Sequence, residues 1–512
     1  MLGRERLMVE HPEVELSSRR IDTVLGLLVA ALSLGLYRAT VAPTVLWGDG
    51  GHLQLNALLG HVQGSAGSHP LWVWIAHGFA VVLDGDAAGC VNLVSAVFGA
   101  LTVGLLYGFV REFGITRFAS LLTALSFAVS HTFWQHSVRA EVYTLLLAFM
   151  VGLGWLGLRW FHAGRQRYLV AAGFVLGLGI GAHLMIGLFV PGLAWLALRR
   201  RPRWTEILST LAASLLGLAP WGFLIARDAV MRNLGGMELV RWALFSFEGY
   251  DFGGAMFDFR LGLLADDAFQ WLFFLGLQFV GLAGVAGLLG FLRMWRRGSQ
   301  DSAVYVALLY LGTVAFAFAF RVGDRYVFYL PSYIPFAVWI GFGLDHLVSA
   351  IRERVTRTTL RYAIYGVVIL SLGLVPVSVY RIAPELVERG LTFRDTRHVP
   401  GPRGRYYFLW PPLRGYTDAR DYAEQALAQS PPGALLLADP ILSSPLRYLQ
   451  VAEGIRPDVD VGYCCWGIEE VLARNADRPI VLADLDPGIY PVTRLREEYG
   501  IMSKEPVYLL VK

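Results

Sequence analysis

The chain has 512 residues, of which 55% are hydrophobic and 16% charged, and its mean hydropathy is +0.50. Because apolar runs of bilayer length recur through the first three quarters, a soluble globular domain is excluded there, and a polytopic helical membrane protein is predicted. The net charge of +4 comes almost entirely from arginines clustered between those runs, a pattern that indicates membrane topology and not nucleic-acid binding.

The N-terminal 20 residues carry charges of both signs and lack a small-residue cleavage site before the first apolar run. An uncleaved cytoplasmic tail is therefore predicted over 1–20. The three cysteines, Cys90, Cys464 and Cys465, have the spacing of neither a disulfide framework nor a zinc site.

Apolar runs that follow the tail are mostly near the ~20 residues needed to cross a ~30 Å hydrocarbon core. A further run at 70–83, of about 14 residues with His77 inside it, favours an interfacial or re-entrant segment. The stretch 168–198 has room for only two short passes, so it either crosses twice or forms a re-entrant hairpin. The candidate spans are 21–37, 88–110, 118–133, 142–161, 168–182, 184–198, 205–226, 269–292, 303–320, 326–349 and 360–380.

The arginine clusters decide the number of crossings. If 70–83 stays outside, all clusters fall on one face, which the positive-inside rule makes cytoplasmic. We therefore predict eleven spans in a transmembrane domain over 21–380, with a first external loop over 38–87. The clusters are Arg4/Arg6/Arg19/Arg20, Arg111/Arg117, Arg159/Arg165/Arg167, Arg199/Arg200/Arg201/Arg203, Arg293/Arg296/Arg297 and Arg352/Arg354/Arg357/Arg361.

Residues 381–512 are richer in proline and charge and are too polar to span a membrane. Strand-like runs at 434–438 and 480–485 alternate with helical patterns at 416–430 and 444–454, which predicts a small α/β domain. The predicted fold is thus an all-α membrane bundle followed by a small extracytoplasmic α/β domain.

Polar side chains that could take part in catalysis or binding gather in the predicted external loops. Asp49 lies in WGDGGHLQ after the first apolar run, Arg139 and Glu141 lie in WQHSVRAEVY, and Arg325 lies in FRVGDRYVFYLPSY. A transferase with a polyprenyl-phosphate sugar donor needs a base for the acceptor hydroxyl and positive charge for the departing phosphate. It also needs a helical bundle that holds a lipid tail.

Four segments resemble the GT-C class of membrane glycosyltransferases, and more closely its protein O-mannosyltransferase-like family, long catalogued as a domain of unknown function. They are APTVLWGDGGHLQLNALLG followed by SHPLW, then WQHSVRAEVYTL, then GLGIGAHLMIGLFVP, and finally ARDYAEQALAQSPPGALLLADPILSSPLRYLQVAEGIRPDV. The chain departs from the family at His52, where an acidic residue is usual, and at ADPILSS, where the family is more acidic.

The resemblance implies an inverting glycosyltransferase in a membrane such as the bacterial inner membrane. It would move a sugar, with mannose as one candidate, from a polyprenyl-phosphate donor to a hydroxyl of a protein, glycan or lipid acceptor at the outer face. The implied partners are this donor, the acceptor and membrane lipids, with no nucleic acid.

By this resemblance Asp49 is the candidate catalytic base, and Glu141 is a second catalytic candidate that either positions the acceptor or supports Arg139. Arg139 and Arg325 are candidates for the donor phosphate, because guanidinium pairs with phosphate in bidentate geometry. Each of these residues also has a structural alternative. The carboxylates could cap a loop or helix, and the arginines could contact lipid headgroups.

The remaining candidates for substrate binding are His52, His69, Tyr143 and His183. The alternatives are that His69 and His183 are polar fillers of helix turns and that Tyr143 belongs to an interfacial aromatic belt.

Other functions remain open at this stage. A transporter or flippase is the main rival, although the predicted span interiors hold almost no ionisable groups, which such carriers place at the membrane midplane. A polysaccharide ligase or polymerase and a lipid-sensing scaffold are further alternatives. No cofactor is indicated: Asp49 and Glu141 do not form a recognisable metal signature, and a divalent metal remains possible.

Overall fold

The computed structural model describes residues 12–247, 250–251, 253–256, 258–389, 399–464 and 468–511. Residues 1–11 of the predicted N-terminal tail, and also Cys465 and Lys512, lie outside the described residues. The described chain is mostly helical up to Glu388 and ends in a five-stranded sheet.

The helical part begins with α1. A short antiparallel pair of two-residue strands, β1 and β2, lies between its helices α11 and α12. Its helices are α1 (Pro12–Thr40), α2 (Gly48–Leu59), α3 (Pro70–Val82), α4 (Ala87–Arg111), α5 (Arg117–Ala128), α6 (His131–His136), α7 (Tyr143–Ala163), α8 (Gln166–Ile180), α9 (Val190–Arg200), α10 (Trp204–Arg232), α11 (Gly236–Phe245), α12 (Gly253–Met256), α13 (Leu264–Gln278), α14 (Leu282–Arg297), α15 (Gln300–Ala319), α16 (Tyr333–Arg354) and α17 (Thr358–Glu388). Segments of 3-10 helix lie at Ala66–Ser68, Leu184–Phe189, Leu261–Leu263 and Arg325–Ser332, and the two short strands are β1 (Ser246–Phe247) and β2 (Tyr250–Asp251).

Seven stretches of the described chain are helical, long and apolar enough to cross a membrane, or up to eight if one bent pair is a single span. The protein is therefore an integral membrane protein. The bent pair, Leu261–Gln278 and Leu282–Arg296, turns by 115°. The seven stretches are Arg19–Thr40, Ala87–Arg111, Tyr143–Ala163, Trp204–Arg232, Gln300–Ala319, Arg325–Arg354 and Thr358–Glu388.

The predicted count of eleven spans is not confirmed. The runs at 118–133 and 168–182 form helices α5 and α8 of only 12 and 15 residues, and 184–198 is divided between a 3-10 turn and the 11 residues of α9. These helices are shorter than a hydrocarbon core requires. The 13 residues of α3, at 1.5 Å each, reach about 20 Å and are likewise too short to cross, as predicted for 70–83.

The C-terminal part contains the small α/β arrangement that the sequence predicts. Its sheet has the order β4-β3-β5-β7-β6, in which β3 is parallel to β4 and β5, and β7 is antiparallel to β5 and β6. The elements are α18 (Asp418–Gln429), β3 (Leu435–Ala438), α19 (Pro440–Glu453), β4 (Asp460–Tyr463), α20 (Ile468–Arg474), β5 (Ile480–Leu482), α21 (Val492–Glu498), β6 (Gly500–Lys504) and β7 (Val507–Val511), with a 3-10 turn at Gly404–Tyr406 before them.

The sheet domain packs on the membrane part through α19 and α2. The contact is close because α2 presents glycines: a Cβ on Gly51 would lie 3.0 Å from the Ser444 Cβ and 2.3 Å from the Leu46 carbonyl oxygen. The helix that carries Asp49 is thereby held between the bundle and the sheet domain.

Candidate functional site

Asp49 lies in the first turn of α2, where the partial positive charge of the helix N-terminus favours a carboxylate. The N-cap of α2 is Trp47, without a side-chain hydrogen bond, so Asp49 does not cap this helix. The Asp49 side chain is solvent-accessible although protein atoms surround it closely, which places it in a recess open to water. Burial in this recess raises the pKa of Asp49, and the nearby His52 opposes part of the increase.

Asn92 of α4 fixes the two loops that carry the carboxylates. Its amide nitrogen donates to the carbonyl oxygens of Ala42 (3.0 Å) and Thr44 (3.1 Å) before α2. Its amide oxygen accepts from the backbone N–H of Ala140 (2.8 Å) and from the Gln54 side chain (2.8 Å). All of these groups are buried, so one side chain sets the first turn of α2 beside the loop of Glu141.

Glu141 forms an acidic cluster with Asp49 and Asp324. The Ser95 hydroxyl donates to the Glu141 carbonyl oxygen (3.0 Å) and accepts from its N–H (3.1 Å), which orients the residue. Burial, followed by the negative charges of Asp49 and Asp324, raises the pKa of Glu141 well above its ordinary value, and Arg139 opposes this. Neighbouring carboxyl groups whose pKa values are raised by burial are candidates for acid and base roles.

Arg139 is the cation of this cluster. It is 3% exposed, its Nη2 donates to the Tyr407 carbonyl oxygen at 2.8 Å, and its guanidinium lies 4.3 Å from the Tyr407 ring centre. The Tyr407 hydroxyl donates to the Trp47 carbonyl oxygen at 3.4 Å. Burial raises the pKa of Tyr407 to about 12. The segment before the sheet domain therefore supplies one wall of the recess.

Aromatic and histidine rings extend the site away from Glu141. The His136 Nδ1 is 3.8 Å from the Glu141 Oε2, and the His136 ring meets the Tyr143 ring edge-on at 5.2 Å. Tyr143 lies 5.8 Å from His183, which stacks on His69 at 5.0 Å. Burial lowers the pKa of His69 to about 4 and that of His183 well below its ordinary value, so both are neutral polar groups at neutral pH.

The structure brings most of the predicted site residues together. Asp49, Arg139 and Glu141 interact electrostatically, and His52 lies beside Asp49 with its Nε2 at 2.8 Å from the Asn56 amide nitrogen. Tyr143, His183 and His69 follow in the row described above.

Arg325 belongs to a different cluster. Its side chain is 8% exposed, its Nη1 donates to Asp267 at 2.6 Å, and its Nε donates to the Ala317 carbonyl oxygen at 2.7 Å. Asp267 also pairs with Arg321 at 2.7 Å. A contact of Arg325 with a donor phosphate stays a prediction, and these contacts favour a structural role instead.

Three residues of the site were not among the predicted ones. Asp324 and His136 stand in the quoted motifs GDRY and WQHSVRAEVY, so their proximity to other polar residues in sequence was a usable signal. Tyr407 lies 268 residues after Arg139 in the chain, and no sequence motif connects the two residues. Among the described residues, no group of three or more His, Cys, Asp or Glu side chains is placed to hold a metal ion.

Long apolar helices and an acidic recess, walled by a segment of the C-terminal part, define a polytopic membrane protein with a polar site at one end of its bundle. The family model "Protein O-mannosyl-transferase TMEM260 N-terminal domain" matches residues 56–206. The resemblance to the protein O-mannosyltransferase-like family is thereby confirmed for this part of the chain, which includes Glu141 but not Asp49. The match supports a membrane glycosyltransferase of the O-mannosyltransferase type.

Solved structures with some similarity include the Archaeoglobus fulgidus oligosaccharyltransferase in complex with Zn and sulfate (14% identity, TM-score 0.48, 95% of this chain and 73% of that chain). The apo form of that enzyme gives 12% identity and a TM-score of 0.44 over 94% of this chain and 73% of that chain. The S. cerevisiae protein O-mannosyltransferase Pmt1-Pmt2 complex bound to the sugar donor gives 17% identity and a TM-score of 0.34 over 45% of this chain and 37% of that chain.

Proposed function

We propose that the protein is an inverting glycosyltransferase that moves a sugar, with mannose as first candidate, from a polyprenyl-phosphate donor to a hydroxyl of a protein acceptor outside the cytoplasm. The observation that carries the proposal is the placement of Asp49 and Glu141 in one recess beside Arg139, where burial raises the pKa of both carboxyl groups. The family match over 56–206 supports the sugar class.

In the proposed reaction Asp49 takes the proton of the acceptor hydroxyl. The hydroxyl oxygen of the acceptor attacks the anomeric carbon of the sugar from the side opposite the phosphate. The bond from this carbon to the phosphate oxygen breaks, and the phosphate leaves with the electron pair. Burial and the neighbouring negative charge of Asp49 raise the pKa of Glu141, which favours the protonated form of Glu141 beside Asp49. Arg139 stabilises the charge of the leaving phosphate.

Transfer by purified protein tests the proposal directly. A radiolabelled polyprenyl-phosphate sugar would be supplied in proteoliposomes together with extracted envelope proteins, and mass spectrometry would locate the added sugar. Label on a protein hydroxyl supports the proposal. Movement of intact donor across the bilayer without any transfer would instead identify the rival function, a flippase.

The proposed outer location of the recess gives a prediction for topology. A reporter inserted after Gly85, in the loop between α3 and α4, should be active only outside the cytoplasm, and so should one fused at Lys512. The reason is that α1 leads away from the basic residues Arg19 and Arg20, α3 is too short to cross back, and Arg111 ends α4 on the basic face again. The C-terminal part in turn follows α17, which begins beside the cluster Arg352/Arg354/Arg357/Arg361 and crosses once more. Paired alkaline phosphatase and fluorescent-protein fusions measure this, and a fluorescent fusion at Gly85 would contradict the orientation.

Arg139→Ala should weaken binding of the lipid donor by roughly 1.5–3 kcal/mol, the usual contribution of a charge-assisted hydrogen bond. Arg139→Lys should restore only part of it, because an ammonium group lacks the planar fork. Donor affinity of the folded, purified variants is the measurement. Arg260→Ala is the matched control, since Arg260 is exposed and pairs with Asp258. Equal affinity of wild type and Arg139→Ala would return Arg139 to a purely structural role under Tyr407.

A further inference from the structure

A second cavity lies apart from the Asp49 recess, between the end of α17 and the segment that leads to the sheet domain. Its volume is about 410 Å³, which is within the range of small-ligand pockets. Its lining combines positive charge with aromatic rings. The residues that matter for the argument are Arg381, Arg403, Tyr406, Trp410, Arg414 and Tyr416.

The charge of this cavity is not balanced within the described part of the chain. The Arg381 guanidinium lies over the rings of Tyr406 (5.5 Å) and Trp410 (5.8 Å), and no described carboxylate forms an ion pair with Arg381 or Arg414. Arg403 has a partner, since its Nε is 3.4 Å from the Asp418 Oδ1. Two exposed guanidinium groups thus remain available to an anion, and phosphate is the anion whose geometry the guanidinium fork fits.

The position of Arg381 along α17 indicates where the cavity lies relative to the membrane. No charged residue occurs at 362–380, between Arg361 and Arg381. At 1.5 Å per residue this interval spans about 30 Å, the thickness of a hydrocarbon core. Arg361 and Arg381 therefore lie at opposite membrane surfaces, and Trp410 and Tyr406 beside Arg381 are typical of the headgroup region.

We propose that this cavity binds the phosphate headgroup of an anionic membrane lipid. The cavity and the Asp49 recess are separated by a layer of two rings, because Tyr416 lines the cavity and lies 5.4 Å from Tyr407, on whose ring Arg139 rests. The bound lipid would therefore tie the segment that walls the recess to the membrane surface. The proposal concerns a lipid site and does not depend on the transferase activity.

Lipid binding by the purified full-length chain tests the proposal. Delipidated protein in detergent would be titrated with phosphatidylglycerol, and binding would be followed by native mass spectrometry. The double variant Arg381→Gln/Arg414→Gln should bind it at least about tenfold more weakly, since each lost contact is charge-assisted. The matched control, Arg352→Gln/Arg354→Gln, removes the same charge at the opposite end of the bundle and should bind like wild type.

Wild-type affinity in the Arg381→Gln/Arg414→Gln protein, or an equal loss in the control, would overturn the proposal. The single variant Arg414→Gln guards against misfolding, because this side chain is exposed; it should show a smaller loss, and no loss would again count against the site. A parallel titration of the wild type and of Arg381→Gln/Arg414→Gln with polyprenyl phosphate identifies the source of the phosphate. The cavity is assigned to the lipid whose binding the double variant weakens more, and no weakening for either lipid would overturn the proposal.

Discussion

Asp49→Asn is expected to lower the rate of sugar transfer by about 100-fold or more, the usual cost of losing a general base. The amide keeps the shape of the carboxylate but cannot accept the proton of the acceptor hydroxyl. Folding should be little affected, because Asp49 is solvent-accessible and is not the N-cap of α2. Turnover of the purified variant, which must still bind donor, is the measurement.

The pH profile distinguishes loss of a base from a general disturbance of the recess. A base acts in its deprotonated form, so wild-type transfer should fall as the pH is lowered through the pKa of Asp49. Because burial raises this pKa, the fall should begin at higher pH than for an ordinary aspartate. Asp84→Asn, an exposed carboxylate in the same loop, should keep both rate and profile. Near wild-type turnover of Asp49→Asn would eliminate the general-base assignment.

The broad architecture could be predicted because it depends on local composition. Apolar runs predict membrane helices, and alternating patterns after residue 380 predict the small sheet, which is present at Leu435–Ala438 and Ile480–Leu482. The number of spans could not be predicted. An apolar run shows that a segment is buried, but only packing decides whether it continues as one helix, as α7 does, or ends after 12 residues, as α5 does.

The candidate site was partly predictable for the same reason. Arg139 and Glu141 are near each other in sequence, and the loop topology brings them to the face of Asp49. Contacts between distant segments left no local trace: Tyr407 reaches Arg139 across 268 residues, and Arg325 pairs with Asp267 across 58. The same role, binding of the donor phosphate, was predicted for Arg139 and Arg325. Their environments differ because these two long-range contacts differ.

The environment of Arg325 leads to the prediction with the largest expected effect on stability. Asp267, 1% exposed, accepts hydrogen bonds from Arg325 (2.6 Å) and Arg321 (2.7 Å). Asp267→Ala would leave the buried Arg325 without its counter-charge, which typically costs about 3–5 kcal/mol of folding free energy. Denaturant unfolding in detergent micelles measures this loss. Asp266→Ala is the matched control, because Asp266 is the adjacent carboxylate and is exposed.

The same measurements separate the two roles considered for Arg325. If Arg325 is structural, Arg325→Ala and Asp267→Ala should both lower the free energy of unfolding, and the double variant should lose less than the sum, because the two changes remove one shared interaction. If Arg325 holds the donor phosphate, Arg325→Ala should instead weaken donor binding while the stability changes little. A stable Asp267→Ala protein would show that the ion cluster contributes nothing. Since Asp324 precedes Arg325 directly, loss of the cluster should also displace Asp324 from Glu141, which removes a minor cause of the raised pKa of Glu141 and leaves burial, the largest cause, in place.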